Sequence, residues 1–243
     1  SGAQRAAWLD LLARFASDNP DIQLSHLETE QGAYKRDFEQ MLVERDLDLV
    51  FWFGGERLRQ AADRGLLQPL DDLVHAGQLA RLQPATLDAL NARKRLWAWP
   101  LSYYHWGFFY RRSLFAKHGL SPPSTWPQFV QVMQKLKAAG VTPVAVGSRS
   151  GWPAAAWFDY LNLRMNGLAF HRRLIAGQAS FRDARAVKVF EVWGQMLDSG
   201  NFLPEGVDLE WDEVLPYVYH GRVGMVLCGA FCAAKIPPQL LAD

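Results

Sequence analysis

The side chains best equipped for chemistry in this 243-residue chain are aromatic: 13% of its residues are Phe, Trp or Tyr, and 10 are Trp. What such rings offer is stacking. A flat π-face pairs with the apolar C–H face of a ring-shaped, hydroxylated guest, while nearby carboxylates or hydroxyls accept hydrogen bonds from its edge. Trp52 and Phe53 end an apolar run, with Glu56 just beyond them as a candidate acceptor. In Tyr103-Tyr104-His105-Trp106, strand alternation puts Tyr104 and Trp106 on one face and turns His105 away. Trp211 lies among Glu210, Asp212 and Glu213, which places it either near the mouth of a site or on a solvated helix start that suits the helix dipole. Trp157, with Phe158 and Leu161 at helical spacing, reads as core.

Reactive chemistry has little to work with. No G-x-S-x-G, H-E-x-x-H, Walker loop or dinucleotide glycine pattern is present, and Gly147-Ser148-Arg149-Ser150-Gly151 puts no serine at the elbow's centre, so it reads as a flexible connection. Glycoside hydrolysis needs two positioned carboxylates, and no motif selects a pair from Glu56, Asp159 and Asp212. Cys228 and Cys232 lack the C-x-x-C spacing of a redox pair and have no second pair to complete a zinc site, so both are expected as small buried apolar residues. No enzyme, metal or cofactor is expected.

The 26 basic and 25 acidic side chains leave a formal net charge of +1, too weak a field to gather nucleic acid or an anionic bilayer. The longest apolar stretches, such as Leu47 to Phe53 and Val223 to Cys232, are too short for a spanning helix, so no direct membrane insertion is expected. Ser1-Gly2-Ala3-Gln4-Arg5 lacks the organisation of an export signal; the chain is expected either to be cytoplasmic or to have lost one.

The elements that must position these rings alternate between helical patterns and short apolar runs, which predicts an α/β architecture. Trp8, Leu11, Leu12 and Phe15 predict a helix stopped by Asn19-Pro20. Strands are expected at Ile22 to Leu24, Leu47 to Phe53, Trp106 to Tyr110, Val144 to Val146 and Val223 to Leu227. Thr125 and Gln128 have capping-box spacing, and further helices are expected around Ala154 to Met165, Ala184 to Leu197 and Trp211 to Tyr219.

Three stretches carry a resemblance. "FASDNPDIQ" from Phe15, "DLDLVFWFGGERLRQAADRGLLQPLDDL" from Asp46 to Leu73, and "WAWPLSYYHWGFFYRRSLFAKHGLSPPSTWPQFVQVMQKLKAAGVTPVAVG" from Trp97 to Gly147 lie in the order found in bacterial ABC sugar importers' extracellular solute-binding proteins. The chain resembles that family, the maltose- and glucose-binding group, along its length. The resemblance implies an α/β, two-lobed periplasmic-binding-protein-like (type II) fold with an interlobe cleft. Residues 1–100 would form the first lobe and 101–243 the second, beginning at the hinge. The chain is shorter at both ends than the family pattern, so the first lobe is expected to lack strands.

By the same resemblance the protein would bind a mono- or oligosaccharide between the lobes, with the periplasm or extracellular space as its location, and deliver it to a membrane ABC permease. The same fold could instead serve as a sensing module for a receptor or kinase, or as a degenerate, non-binding interaction protein. Gly151-Trp152-Pro153 is similar to the family loop where an aromatic residue meets the sugar, which implies a binding role for Trp152. Phe231 stands where relatives carry a ligand-stacking tryptophan, so the sugar's identity does not carry over.

Overall fold

Thr125 and Gln128 build the capping box that their spacing predicts: Thr125 Oγ1 accepts from Gln128 N at 3.4 Å, and Gln128 Oε1 accepts from Thr125 N at 3.2 Å. Elements that satisfy their hydrogen bonds within themselves are the ones a sequence announces most directly. The computed structural model describes residues 2–45 and 47–243, with side chains from residue 5 onward, and the chain divides into two compact units, Gly2–Tyr103 and Tyr104–Asp243.

In the first unit, α1 (Gly2–Asp18) stops where Asn19 Nδ2 donates back to Phe15 O at 2.8 Å and Pro20 cannot continue the ladder. The Glu30 carboxylate caps α2 (Gln31–Glu44) by accepting from Gly32 N and Ala33 N at 2.7 and 2.8 Å. Beyond it come α3 (Glu56–Asp63), α4 (Ala76–Leu79), α5 (Pro84–Leu90) and a small hairpin of β1 (Asn91–Ala92) with β2 (Arg95–Leu96). Leu58, Leu90 and Leu96 form the buried centre here.

Two expectations fail in this unit. Ile22 to Leu24 and Leu47 to Phe53 are not strands, and Asp46, at the head of the second run's motif, lies outside the described residues. A strand exists through the neighbour that takes its backbone hydrogen bonds, and among the described residues no segment ladders with either run. Leu49 is accordingly 90% exposed.

The second unit is built on a three-stranded sheet of order β3-β5-β4: β3 (Trp106–Tyr110) runs antiparallel and β4 (Thr142–Ala145) parallel to the central β5 (Val223–Gly229). All seven residues of β5 are buried, as a strand covered on both faces must be. Helix α6 (Arg112–Lys117) follows β3, and α7 (Trp126–Ala138) buries Phe129, Val132, Met133 and Leu136. Gly224 of β5 leaves room for that helix, since a Cβ there would stand 2.5 Å from Leu136 Cδ1.

Helix α8 (Trp152–Ile175) runs past its expected end, with a break at Gly167, whose φ of 77° and ψ of 166° are not helical. A buried polar contact, Asn162 Nδ2 to His171 Nδ1 at 3.1 Å, spans the break. Helix α9 (Ala184–Asp198) packs on α8. The helix expected over Trp211 to Tyr219 is shorter: a turn fills the first half, and α10 covers only Leu215–Tyr219.

Asp243 ties itself to the start of α6. Its carboxylate accepts from Ser113 N and Ser113 Oγ, each at 2.6 Å, and from Arg111 Nε at 2.7 Å. The Ser113 hydrogen bonds, then the hydrogen bond and charge of Arg111, hold its pKa down to about 2. A depressed carboxylate stabilises the fold above its unfolded-state pKa, and that stabilisation is lost as pH falls from about 4 through about 2. Asp243→Asn is therefore expected to lower Tm at neutral pH and to match the parent protein near pH 2. Tm measured for both proteins across that range decides it, and an offset that persists at the acid end refutes the role.

Candidate functional site

The start of β3 and the end of β5 lie side by side, with Trp106 opposite Gly229. A Cβ on Gly229 would meet Phe231 Cε1 at 2.4 Å and Tyr104 Cδ2 at 2.9 Å, so only glycine lets those rings close over the strand. Phe231 is the hub of an aromatic cluster. Its centroid lies 5.0 Å from Tyr104, 6.1 Å from Trp106, 6.2 Å from Trp152 and 5.1 Å from Trp211. Trp152 in turn lies 6.1 Å from Trp106 and 6.3 Å from Trp211. The contacts of Phe231 with Tyr104, Trp106 and Trp211 are edge-to-face, a favoured aromatic arrangement. Tyr104 is exposed and the other four rings are half-buried, so each keeps surface open to solvent.

Two loops hold Trp152 and Trp211 in place. Ser148 N donates to Gly206 O at 2.8 Å and Arg149 N to Leu209 O at 3.1 Å. The Arg149 guanidinium reaches Asp208 O at 3.0 Å, Glu210 Oε1 at 3.2 Å and Glu213 Oε2 at 2.9 Å. The hydrogen bond to Glu210 is the main reason its pKa lies above the ordinary arginine value, and the charges of Glu213 and Glu210 add to it. Gly147 completes the fit, since a Cβ there would fall 2.2 Å from Glu210 O. The 147–151 segment is thus no flexible connection, because its backbone hydrogen bonds and an arginine fork fasten it to residues 206–213. Nor are the acidic residues around Trp211 simply solvated: Glu210 and Glu213 engage Arg149, and Asp212 pairs with Lys235 at 2.9 Å.

Sequence reasoning singled out the rings but missed Arg149, whose partners lie 59 to 64 residues away along the chain. We expect Arg149→Ala to reduce the exciton coupling of the Trp152–Trp211 pair in circular dichroism while the helical signal stays. An unaltered aromatic spectrum would show that the backbone bonds alone suffice.

The other predicted site residues belong to the first unit. Trp52 stacks on Phe38 with centroids 3.5 Å apart and planes 8° from parallel, and its Nε1 donates to Arg57 O at 3.2 Å. One face and the N–H of that indole are therefore committed to packing. Phe53 lies beneath two cations, Lys35 Nζ at 5.1 Å and Arg57 at 5.6 Å from its centroid. Glu56 ion-pairs with Arg59 at 3.7 Å. Trp157, expected in the core, is 1% exposed, against Phe108 and Phe202.

Burial pushes the Tyr104 hydroxyl above its ordinary range, so it remains a neutral donor and acceptor at physiological pH. Burial likewise raises Asp159 on α8, partly offset by His171. Among the described residues no group of His, Cys, Asp or Glu is placed to hold a metal ion, and no helix is long and apolar enough to cross a membrane.

A model of the family described as bacterial extracellular solute-binding protein matches residues 1–235. The chain belongs to that family. Its members bind solutes and are not enzymes. This solute-binding protein is 24% identical over 242 residues to an uncharacterized ABC transporter extracellular-binding protein of Pyrococcus horikoshii, covering 97% of this chain and 56% of that one. It spans little more than half the length of the relatives it matches, 56% and 53% for two Pyrococcus proteins.

Among solved structures, the bacterial solute receptor AcbH, described as having an exclusive preference for β-D-galactopyranose, superposes with a TM-score of 0.82 at 26% identity, covering 100% of this chain and 61% of AcbH. A chitin oligosaccharide binding protein superposes with a TM-score of 0.85 at 20% identity over 99% of this chain and 62% of its own, a likeness of fold. The α/β architecture is therefore that of solute-binding proteins over about 60% of their length.

Proposed function

We propose that this solute-binding protein captures a carbohydrate on the cluster of Tyr104, Trp106, Trp152, Trp211 and Phe231 and hands it to an ABC importer in the membrane. The observation that carries the reading is the convergence of five partly exposed rings from separate segments of one unit: the start of β3, the start of α8, the turn before α10 and the turn after β5. Rings gathered so, beside a neutral phenol and fixed carboxylates, meet both faces of a sugar's chemistry, apolar C–H and polar O–H. The galactopyranose preference described for AcbH supports the same class of ligand. In this reading the two units are the lobes of a type II binding protein, and Pro100 to Tyr104 is its hinge. Phe53 and Glu56 would serve the first lobe, with Trp52 edge-to-face against Phe53 at 5.6 Å.

Tryptophans at the site make the test direct. Intrinsic fluorescence titrated with galactose, a xylo-oligosaccharide, a chito-oligosaccharide and raffinose is expected to change saturably with at least one of them, and the same sugar is expected to raise Tm. Flat titrations and an unmoved Tm across that panel would defeat the proposal.

A further inference from the structure

Lys35 and Arg57 bring two positive charges to one ring: they lie 5.1 and 5.6 Å from the Phe53 centroid, one from α2 and the other from the first turn of α3. Contacts within the first unit hold both sides of this arrangement. On the α2 side the Tyr34 hydroxyl donates to Phe51 O, and Phe38 stacks on Trp52. On the α3 side Trp52 Nε1 donates to Arg57 O at 3.2 Å. The Phe53 ring itself stands edge-to-face with Phe51 and Trp52, at 5.5 and 5.6 Å between centroids. The cations are therefore brought together by the packing of their backbones, not by a side-chain counter-ion.

Among the described residues neither Lys35 nor Arg57 forms an ion pair or donates a side-chain hydrogen bond. The acids beside them are committed elsewhere. Glu30, whose charge Lys35 feels, gives its carboxylate oxygens to Gly32 N and Ala33 N, and Glu56, the neighbour of Arg57, pairs with Arg59 at 3.7 Å. Burial, then the charge of Arg57, holds the Lys35 pKa below the ordinary lysine value, so the two cations repel across the site. An aromatic face attracts a cation through its quadrupole and leaves the N–H groups in need of an acceptor. An anion seated beside both would supply that acceptor and relieve the repulsion.

We propose that Lys35 and Arg57, carried on Phe53, form an anion subsite, and that the carbohydrate this protein takes bears an acidic group, a carboxylate or a phosphate. The inference deepens the proposed function and rests on it. The Arg57 guanidinium offers a planar fork that matches two oxygens of either group, and the Lys35 ammonium adds a point charge on a flexible stem. Phe53 keeps water from one side of the charges, which strengthens their pull on an anion. Phe53 thus serves the guest by carrying the cations.

The test titrates the whole chain, by intrinsic fluorescence, with galactose against galacturonate and galactose 6-phosphate, and with a xylo-oligosaccharide against its glucuronosyl-branched form. At low salt at least one acidic sugar is expected to bind about tenfold or more tightly than its neutral parent. A gain with the uronates alone assigns a carboxylate, and one with the phosphate alone a phosphate. The gain is expected to shrink at high sodium chloride, since charges open to solvent are screened; a gain indifferent to salt would overturn its ionic origin. Lys35→Gln with Arg57→Gln is expected to close the gap between acidic and neutral sugars, and Arg57→Lys alone to keep part of it. A gap that survives the double substitution would overturn the subsite. If a neutral sugar binds and no acidic sugar gains on its parent, this inference falls alone; if every sugar is flat, the proposed function falls with it.

Discussion

Trp152→Ala is expected to weaken carbohydrate binding by about 10- to 100-fold and to leave thermal unfolding nearly unchanged. Trp152 opens α8 behind Gly151, whose φ of 77° turns the chain into the helix, and its ring meets Trp106, Trp211 and Phe231 while keeping part of its surface in solvent. Truncation removes the stacking face and loosens the centre of the group. It opens no sealed cavity, because the ring already borders water. Isothermal titration with the sugar found by the fluorescence panel, alongside a thermal melt, measures both halves. Parent-like affinity removes Trp152 from the site, and collapse of the melt reassigns it to the core.

Five residues along the same helix, Trp157→Ala is expected to do the reverse, with a loss of about 3–5 kcal/mol of folding stability. Trp157 is among the largest fully buried side chains, wedged against Phe108 and Phe202. Its Nε1 has no hydrogen-bond partner among the described residues, so its contribution is one of packing, and alanine leaves a hole that close-packed neighbours fill only in part. Urea unfolding of the parent and variant gives the difference directly. A loss under about 1 kcal/mol would mean that the sheet and α8 relax into the space.

The contrast between those two tryptophans shows what could be read from residue order. Trp157 has apolar neighbours at helical spacing, and periodicity placed it in the core. The box of Thr125 and Gln128, the strand at Trp106 and the central strand at Val223 were legible for the same reason, each being announced by local spacing or an apolar run. Leu47 to Phe53 looked equally strand-like, yet side-chain pattern says nothing about which segment will accept its backbone bonds. Arg149 was illegible in another way. Its meaning lies in Asp208, Glu210 and Glu213, and a serine-glycine neighbourhood disguised it as slack. The break at Gly167 was hidden inside α8, since the ladder resumes beyond it.

The wall that bears Phe231 hangs from β5, a strand with no solvent-facing residue and a paired neighbour on either side. Such a mount has little freedom to drift, so if the cluster binds as proposed, altering which guest is accepted becomes a matter of exchanging the tips of the rings and leaving their foundations alone. On the proposed reading, variation at residue 231 is expected to retarget the protein at small cost to its architecture, whereas a side chain grafted at Gly224 would push against Leu136 of α7 and one at Gly229 would displace the rings themselves.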